Sequence, residues 1–210
     1  YQGIPYFAVD VTMAEEILNF FVSQVPDTTP EKVFYSTSRK HYLGFDQTEA
    51  ALYSHGKMYL DWLNRNQFCP GCGTKTVPVD GGAKLMCTND QTTTRISSSG
   101  EEKEIYACPA KSQSVSNVFF PRTDAVIITA ITNKDRLKIL LSLGKRHEFT
   151  KMYSCTAGFM EPSETVEVAT KREIWEETGV WCSKINIVLT QPWPFPANLM
   201  IGCLGVVDFN

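Results

Sequence analysis

The spacing of apolar residues divides the chain into helical and strand-like segments. Residues 4–11 alternate enough to predict a strand, and residues 13–22 repeat apolar side chains at helical spacing. A second helical pattern covers residues 46–66, where Asp46 is an acceptable N-cap. After Pro121 the pattern of apolar residues becomes strand-like. It predicts three strands over residues 124–132, 137–144 and 152–158. The pattern therefore predicts an α+β protein.

The remaining C-terminal pattern is a helix followed by two strands. The helix is predicted from Ser163 to Thr178, and Gly179 ends it. The two strands are predicted over residues 180–190 and 198–207.

Two segments interrupt these patterns. Residues 88–104 are polar and of low complexity, and we expect a mobile loop there. Residues 190–200 read TQPWPFPANLM, in which three prolines alternate with two aromatic residues. Because proline cannot donate to a sheet ladder, we expect this run to be a rigid lip rather than an ordinary sheet element. The exposed amides of this lip, together with Gln191 and Asn198, would meet a ligand.

Composition narrows the class of protein. No run approaches the roughly 20 apolar residues of a membrane span, and the first residues lack the pattern of a signal peptide. A net charge of −3 disfavours binding of nucleic acid by bulk electrostatics and favours a small-molecule partner. Seven cysteines, an odd number, fit a reducing compartment better than a secreted disulfide framework. We expect the chain to be a fragment of a longer protein.

Four of the cysteines have the spacing of a metal site. Cys69 and Cys72 form a CxxC with glycine inside and after it, and Cys87 and Cys108 can complete a tetrahedral set. Four thiolates leave no open position, so the zinc ion would be structural. The alternative is a redox pair of Cys69 and Cys72, with the other two as small apolar residues. The remaining three cysteines lie in apolar strands and are expected in the core: Cys155, Cys182 and Cys203.

Three glutamates share one face of the predicted helix. Glu173, Glu176 and Glu177 stand at i, i+3 and i+4, where like charges repel. Mg²⁺ and Mn²⁺ prefer carboxylate oxygens and bridge to phosphate, so the triplet suggests metal-assisted attack on phosphorus. The alternative is a solvated acidic helix face.

The surrounding pattern resembles the Nudix box. Gly158, Glu164, the run REIWEETGV from Arg172 and the spacing between them match its defining positions. The resemblance implies an α/β/α sandwich with a mixed sheet and hydrolysis of nucleoside diphosphates linked to another moiety. It implies two or three Mg²⁺ or Mn²⁺ ions, with Glu173 and Glu177 as principal ligands and Glu176 as a further ligand or base. The main-chain carbonyl of Ala157 is another implied ligand, and Glu164 and Arg172 would support the helix.

The run QPWPFP is similar to the signature of the NADH pyrophosphatase branch, which also carries a four-cysteine zinc ribbon. This resemblance implies cleavage of NADH, NAD⁺ and related dinucleotides, NADH giving NMNH and AMP; some members remove NAD caps from RNA. Thr190 and Asn198 stand where serines are usual, and the family has a further glutamate downstream of the last strand, before which this chain stops. The implied substrate-binding residues are Phe120, Phe159, Gln191, Pro192, Trp193, Pro194, Phe195, Pro196, Ala197 and Asn198. Phe120 and Phe159 could instead be core residues, and Trp193 and Phe195 could serve mainly in packing.

These observations predict three regions: an N-terminal α/β region over residues 1–66, a zinc ribbon over 67–118 and a Nudix domain over 119–210. The resemblance implies a homodimer and, from fungal members, a peroxisomal location; otherwise we expect a cytoplasmic protein. One alternative function is removal of NAD caps from RNA as the main activity. Another is a noncatalytic module that binds dinucleotides or another protein.

Overall fold

The computed structural model describes residues 3–24, 36, 38–112, 119–145 and 148–207. The chain divides into two compact units, Tyr1–Pro121 and Arg122–Asn210. The first unit therefore includes both the predicted N-terminal region and the predicted ribbon. None of the helices in the described ranges combines the length and apolar character needed to cross a membrane.

Two helices dominate the beginning of the first unit, α1 (Glu15–Ser23) and α2 (Gln47–Arg65). Asp46 caps α2 as predicted: its carboxylate accepts from the backbone N–H groups of Thr48 and Glu49, and the Glu49 side chain accepts from the N–H of Asp46. The strand predicted over residues 4–11 was wrong, because this segment forms no ladder with any part of the chain that the structure describes. It approaches α2 instead, where a Cβ on Gly56 would lie 3.2 Å from the Cβ of Ala8.

The second half of the first unit consists of two antiparallel hairpins. Strands β1 (Thr76–Val79) and β2 (Lys84–Cys87) form one hairpin. Strands β3 (Thr92–Ile96) and β4 (Glu102–Tyr106) form the other, and the short helix α3 (Pro109–Ser112) follows. The loop expected over residues 88–104 was therefore wrong. Its threonines and isoleucines favour extended backbone, and each strand satisfies the other's amide groups.

A small core holds this unit together. Trp62 of α2 is buried with Leu85 and Phe119, and Tyr59 and Leu63 pack against them. Three cysteines complete the cluster: Cys69, Cys87 and Cys108.

A mixed five-stranded sheet forms the second unit. Its strands are β5 (Asp124–Thr132), β6 (Ile139–Leu140), β7 (Thr156–Phe159), β8 (Lys184–Trp193) and β9 (Asn198–Val206). Strand β5 is central: β9 pairs with it in parallel, and β6 and β7 pair with it antiparallel. Within the described ranges, strand β8 pairs only with β9 and lies at the edge. The sheet confirms the predicted mixed arrangement, although the strand predicted over residues 137–144 shortens to two residues.

Helix α4 (Val166–Thr178) packs on this sheet through Ile174, which is fully buried with Ile131 and Val207. Thr165 caps its N-terminus, and Gly179 ends it in the left-handed conformation at φ 68°. This helix confirms the sequence prediction. It is the only helix in the described part of the unit, so one helical layer covers the sheet there.

Candidate zinc centre and active site

The four predicted zinc ligands meet at one point. The sulfur atoms of Cys69, Cys72, Cys87 and Cys108 all lie within 4.8 Å of one another, with Cys69–Cys108 at 3.7 Å and Cys72–Cys87 at 3.5 Å. Zinc–thiolate bonds of about 2.3 Å in a tetrahedron place neighbouring sulfurs about 3.8 Å apart. The arrangement therefore fits a structural zinc ion.

The first pair of ligands lies on a tight turn. The N–H of Gly73 donates to the carbonyl of Cys69 at 2.8 Å, and the N–H of Cys69 donates to the carbonyl of Thr74 at 2.7 Å. Gly73 has φ 74°, a conformation that glycine adopts without strain. A Cβ on Gly71 would lie 3.1 Å from the Cβ of Ala110, so the turn approaches the segment after Cys108 closely.

The second pair of ligands flanks the β3–β4 hairpin. Cys87 ends β2, and Cys108 follows β4 by two residues. The N–H of Ala107 donates to the carbonyl of Gln91 at 2.8 Å, which holds the two ends of the insertion together. Twenty intervening residues thus separate the two cysteines in sequence but not in space.

The thiols differ in their protonation. Hydrogen bonds from the Thr74 side chain and backbone lower the pKa of Cys72 to about 6. Burial raises the pKa of Cys87 to about 12 and also raises that of Cys108. Because Cys87 and Cys108 gather with the CxxC pair, this geometry favours a metal-ligand set over a redox pair with two space-filling cysteines.

Arg172 connects the acidic residues of the candidate active site. Its guanidinium donates to both carboxylate oxygens of Glu164, at 2.7 and 2.9 Å, and to Glu173 at 2.8 Å. It also donates to Glu176 at 3.1 Å and to the carbonyl of Phe159 at 3.0 Å. One side chain therefore ties the box loop to α4, in agreement with the supporting role expected of Glu164 and Arg172.

Hydrogen bonds from Arg172 and from the N–H of Glu161 lower the pKa of Glu164 to about 2. Glu164 is thus ionised throughout the physiological range. Its charge fixes Arg172, which in turn orients the carboxylates of α4.

Gly158 makes room for Glu173. A Cβ at this position would overlap the Glu173 carboxylate, so only glycine fits there. Gly158 lies in β7 opposite Ile127. The helix therefore presents Glu173 directly onto the strand that precedes the box.

Glu173 and Glu177 interact electrostatically. Partial burial, and then the negative charge of Glu173, raise the pKa of Glu177. A divalent cation would relieve both effects, and carboxylate oxygens are the donors that Mg²⁺ and Mn²⁺ prefer. Glu176 instead pairs with Arg172, and Ala157 lies in β7 opposite Ile128. Among the described residues, only the cysteines bring three or more metal-ligating side chains within 4.8 Å.

The proline-rich run does belong to the sheet, contrary to the sequence prediction. Gln191, Pro192 and Trp193 extend β8 and pair with the start of β9. Proline is tolerated at this position because β8 is an edge strand. A four-residue turn over residues 194–197 follows.

The aromatic pair of this run packs edge to face. The ring centroids of Trp193 and Phe195 are 5.2 Å apart at 70°. Gln191 is exposed and Asn198 is buried. The Asn198 Oδ1 has no hydrogen-bond partner among the described residues.

The two predicted stacking residues lie in different units. Phe120 is 50% exposed in the first unit, with the Lys84 ammonium 5.4 Å from its ring centroid. Phe159 is 57% exposed at the end of β7 in the second unit. Neither is a core residue within its own unit; Phe119 is the buried neighbour. Of the cysteines expected in the core, Cys182 and Cys203 are buried and Cys155 is partly exposed.

Sequence reasoning missed two features. It did not identify Thr74 as the hydrogen-bond donor to Cys72, although a hydroxyl two residues after a ligand is a usable signal. It also missed the stacked pair of Trp175 and Trp181, whose ring centroids are 4.7 Å apart.

Comparison with known proteins agrees with this geometry. Residues 64–94 match the family described as "NADH pyrophosphatase zinc ribbon domain", and residues 121–200 match "NUDIX domain". The chain is 46% identical to "NAD-capped RNA hydrolase NPY1" of Saccharomyces cerevisiae over 100% of this chain and 51% of that protein.

Two further relatives carry related names. "NAD-capped RNA hydrolase" of Schizosaccharomyces pombe is 33% identical over 97% of this chain and 50% of that protein. "NAD-capped RNA hydrolase NudC" of Photobacterium profundum is 31% identical over 82% of this chain and 53% of that protein. The chain spans about half the length of these relatives. With both domain matches in order along it, the chain belongs to the Nudix family and carries a zinc ribbon of the NADH pyrophosphatase type.

Proposed function

We propose that the full-length protein hydrolyses the pyrophosphate bond of NADH, and of NAD⁺ and related dinucleotides, NADH giving NMNH and AMP. The observation that carries this proposal is the placement of Glu173 against Gly158, with Glu177 one helical turn further on. The names of the relatives agree with a substrate that contains NAD.

The carboxylates of Glu173 and Glu177 would hold the catalytic Mg²⁺ or Mn²⁺ ions, with Glu176 and the Ala157 carbonyl as further ligands. When bound, such ions polarise phosphoryl oxygens and lower the pKa of an attacking water. Arg172 holds Glu173 and Glu176 in place through ion pairs at 2.8 and 3.1 Å. The four cysteines would hold one structural zinc ion, which has no open position for a substrate.

Substrate recognition would combine stacking and hydrogen bonding. Phe159 and Phe120 are exposed aromatic rings, and base stacking contributes about 1–3 kcal/mol per base. The proline-rich turn supplies a rigid edge, at which Gln191 is exposed and the Asn198 Oδ1 lacks a partner. A polar group of the dinucleotide would satisfy that oxygen. The remaining contacts of this subsite would come from Pro192, Trp193, Pro194, Phe195, Pro196 and Ala197.

The direct test is Glu177→Gln in the full-length protein. We expect NADH cleavage to fall by about 100-fold or more, since a ligand or base of this kind contributes that much. Glu167→Gln is the matched control, because Glu167 is an exposed carboxylate on the same helix outside the proposed site. Near-normal cleavage by Glu177→Gln, with zinc content and fold intact, would refute the assignment.

A second candidate is removal of NAD caps from RNA as the main activity. It is favoured by the relatives, three of which carry the name NAD-capped RNA hydrolase. Specificity constants for NADH and for NAD-capped RNA, measured in one preparation, separate the two candidates. A third candidate is a noncatalytic module, and absence of metal-dependent cleavage of either substrate would favour it.

The assembly and location of the protein extend this proposal. We propose a homodimer and a peroxisomal location, both by family resemblance. Light scattering of the full-length protein tests the first, and imaging of a tagged protein tests the second. Activity with Mg²⁺ and Mn²⁺ compared at equal concentration identifies the preferred ion.

A further inference from the structure

A patch on α4 has no role in the proposed chemistry. Trp175 lies on this helix and Trp181 follows its end, and their rings stack at an interplanar angle of 26°. Trp175 is 45% exposed and Trp181 is 70% exposed. Two large aromatic side chains held face to face in solvent form a preorganised stacking surface.

The patch lies on the outer side of the catalytic helix. At 100° per residue, Trp175 points about 200° away from Glu173, that is, to the opposite side of α4. Val168, two turns before Trp175 on the same side, is also exposed. The patch therefore lies outside the proposed metal site, about one helix diameter, 10–12 Å, from it.

Two lysines flank the aromatic pair. Lys171, one turn before Trp175, is exposed, and its charge partly offsets the rise that burial produces in the pKa of Cys182, beside Trp181. Lys184 is exposed at the start of β8, three residues after Trp181. Neither lysine forms an ion pair with a described residue. We call these five residues the aromatic–basic patch: Val168, Lys171, Trp175, Trp181 and Lys184.

The carboxylates of Glu173 and Glu176 pair with Arg172, and the charge of Glu167, one turn before Lys171, acts on Cys203 in the sheet. The five residues of the patch themselves carry two positive charges and no negative one, although the whole chain carries −3. Stacking rings interleaved with cations are the features by which proteins hold single-stranded nucleic acid without reading its sequence.

We propose that the aromatic–basic patch binds the single-stranded RNA that follows an NAD cap, with bases stacked on Trp181 and Trp175 and phosphates near Lys171 and Lys184. This rests on the second candidate function, removal of NAD caps from RNA, since the RNA reaches the patch as part of the substrate. Because the patch lies a helix diameter from the metal-site residues, it contacts nucleotides that follow the cap rather than the cap itself. NADH, which ends at its two nucleosides, never reaches it.

The test compares NADH, an NAD-capped dinucleotide and an NAD-capped RNA of twelve nucleotides with full-length Trp181→Ala. We expect the specificity constant for the long RNA to fall about tenfold, as loss of one stacked base implies. The specificity constants for NADH and for the NAD-capped dinucleotide stay within twofold of those of the unsubstituted protein. Trp181→Phe keeps a ring and restores most of the loss, and Phe149→Ala, an exposed aromatic outside the patch, changes none of the three.

Lys171→Gln provides an independent readout that leaves the rings in place. The binding assay uses the same twelve-nucleotide RNA with a 5′ monophosphate. We expect the slope of the logarithm of the binding constant against the logarithm of the salt concentration to become shallower by about 0.7, the value for one lost phosphate contact. This assay needs no catalysis. RNA binding that depends on the patch without cleavage of NADH or capped RNA would leave this inference standing while the proposed function fails.

Three results overturn the inference. Equal losses for NADH and long RNA would mean that Trp181 acts through the catalytic helix. Unchanged cleavage and binding of the long RNA by both variants would show that the patch does not bind RNA. A changed oligomeric state with unchanged RNA binding would make the patch a contact between protein chains.

Discussion

The two candidate metal sites are built in opposite ways. The cysteine site lies among short hairpins and a small core, and four sulfurs from distant positions converge within 4.8 Å. The glutamate site lies on one regular helix that a mixed sheet supports, and its carboxylates are spread along the helix surface. In the first, the ion would hold the structure together; in the second, the structure exists first and would hold the ions. Ligands far apart in sequence thus mark a site where the ion stabilises the fold, whereas ligands on one helix mark a site where the fold exists before the ions bind.

Loss of a thiolate should have the largest effect. Cys108→Ser leaves three sulfurs, and since structural zinc contributes on the order of 10 kcal/mol in small domains, we expect the hairpin region to lose its zinc and its fold. Zinc content and limited proteolysis of residues 67–112 measure this. Cys155→Ser is the control, because Cys155 lies outside the cluster. A Cys108→Ser protein that keeps stoichiometric zinc and resists proteolysis would contradict the ligand assignment.

A substitution at the glutamate site should lower activity while the protein stays folded. Gly158→Ala places a methyl group where the Glu173 carboxylate lies, so the carboxylate must move. We expect activity to fall by about 100-fold and stability to fall by about 1–3 kcal/mol. Gly144→Ala is the matched control, because a Cβ there has open space. Normal activity with bound metal in Gly158→Ala would show that the close approach of Gly158 and Glu173 has no catalytic importance.

The Glu164–Arg172 pair should produce a moderate, pH-dependent effect. The pKa of Glu164, about 2, lies below its usual value, so its ionised form stabilises the fold above pH 5. That contribution disappears as the pH falls from about 5 to about 2. We therefore expect Glu164→Gln to lower the unfolding midpoint in urea at pH 7, with a smaller difference from the unsubstituted protein at pH 3.

The control for this prediction is Glu161→Gln, whose side chain is exposed. It should change the midpoint little at either pH. An equal difference between Glu164→Gln and the unsubstituted protein at pH 7 and pH 3 would mean that packing, rather than charge, accounts for the effect.

The smallest effect should come from the β3–β4 hairpin. Most of its side chains are exposed, and the Ala107–Gln91 hydrogen bond already joins its ends. Replacing residues 93–105 by a short Gly-Ser turn should change stability by about 1 kcal/mol or less, because loop closure depends weakly on length. Zinc content and thermal unfolding measure this. Loss of zinc would mean that the hairpin is part of the site.

Sequence reasoning succeeded where a local pattern carries the physics. Helix α4, its Gly179 end and the Asp46 cap follow from spacing and side-chain chemistry within a few residues. The four cysteines were identified because few arrangements of CxxC and further cysteines suit another purpose. These features need no knowledge of distant contacts.

Sequence reasoning failed where a partner decides the outcome. Residues 4–11 have strand-like alternation but no neighbouring strand among the described residues, whereas residues 92–106 look polar yet pair with each other. Pro192 was excluded from the sheet, and it is tolerated because β8 lies at an edge. In each case the deciding quantity is the pairing of backbone groups, which a local pattern does not contain.

The sequence by itself determined the two ligand sets, the helix that carries the glutamates and the family to which the chain belongs. Only the tertiary structure decided how these parts meet. Arg172 joins the box loop to α4, the missing side chain of Gly158 leaves space for the Glu173 carboxylate, and Asn198 is buried. The physical reason is the distance along the chain over which each effect acts. Helix spacing and ligand type act over a few residues, whereas close packing and burial depend on elements that only folding brings together.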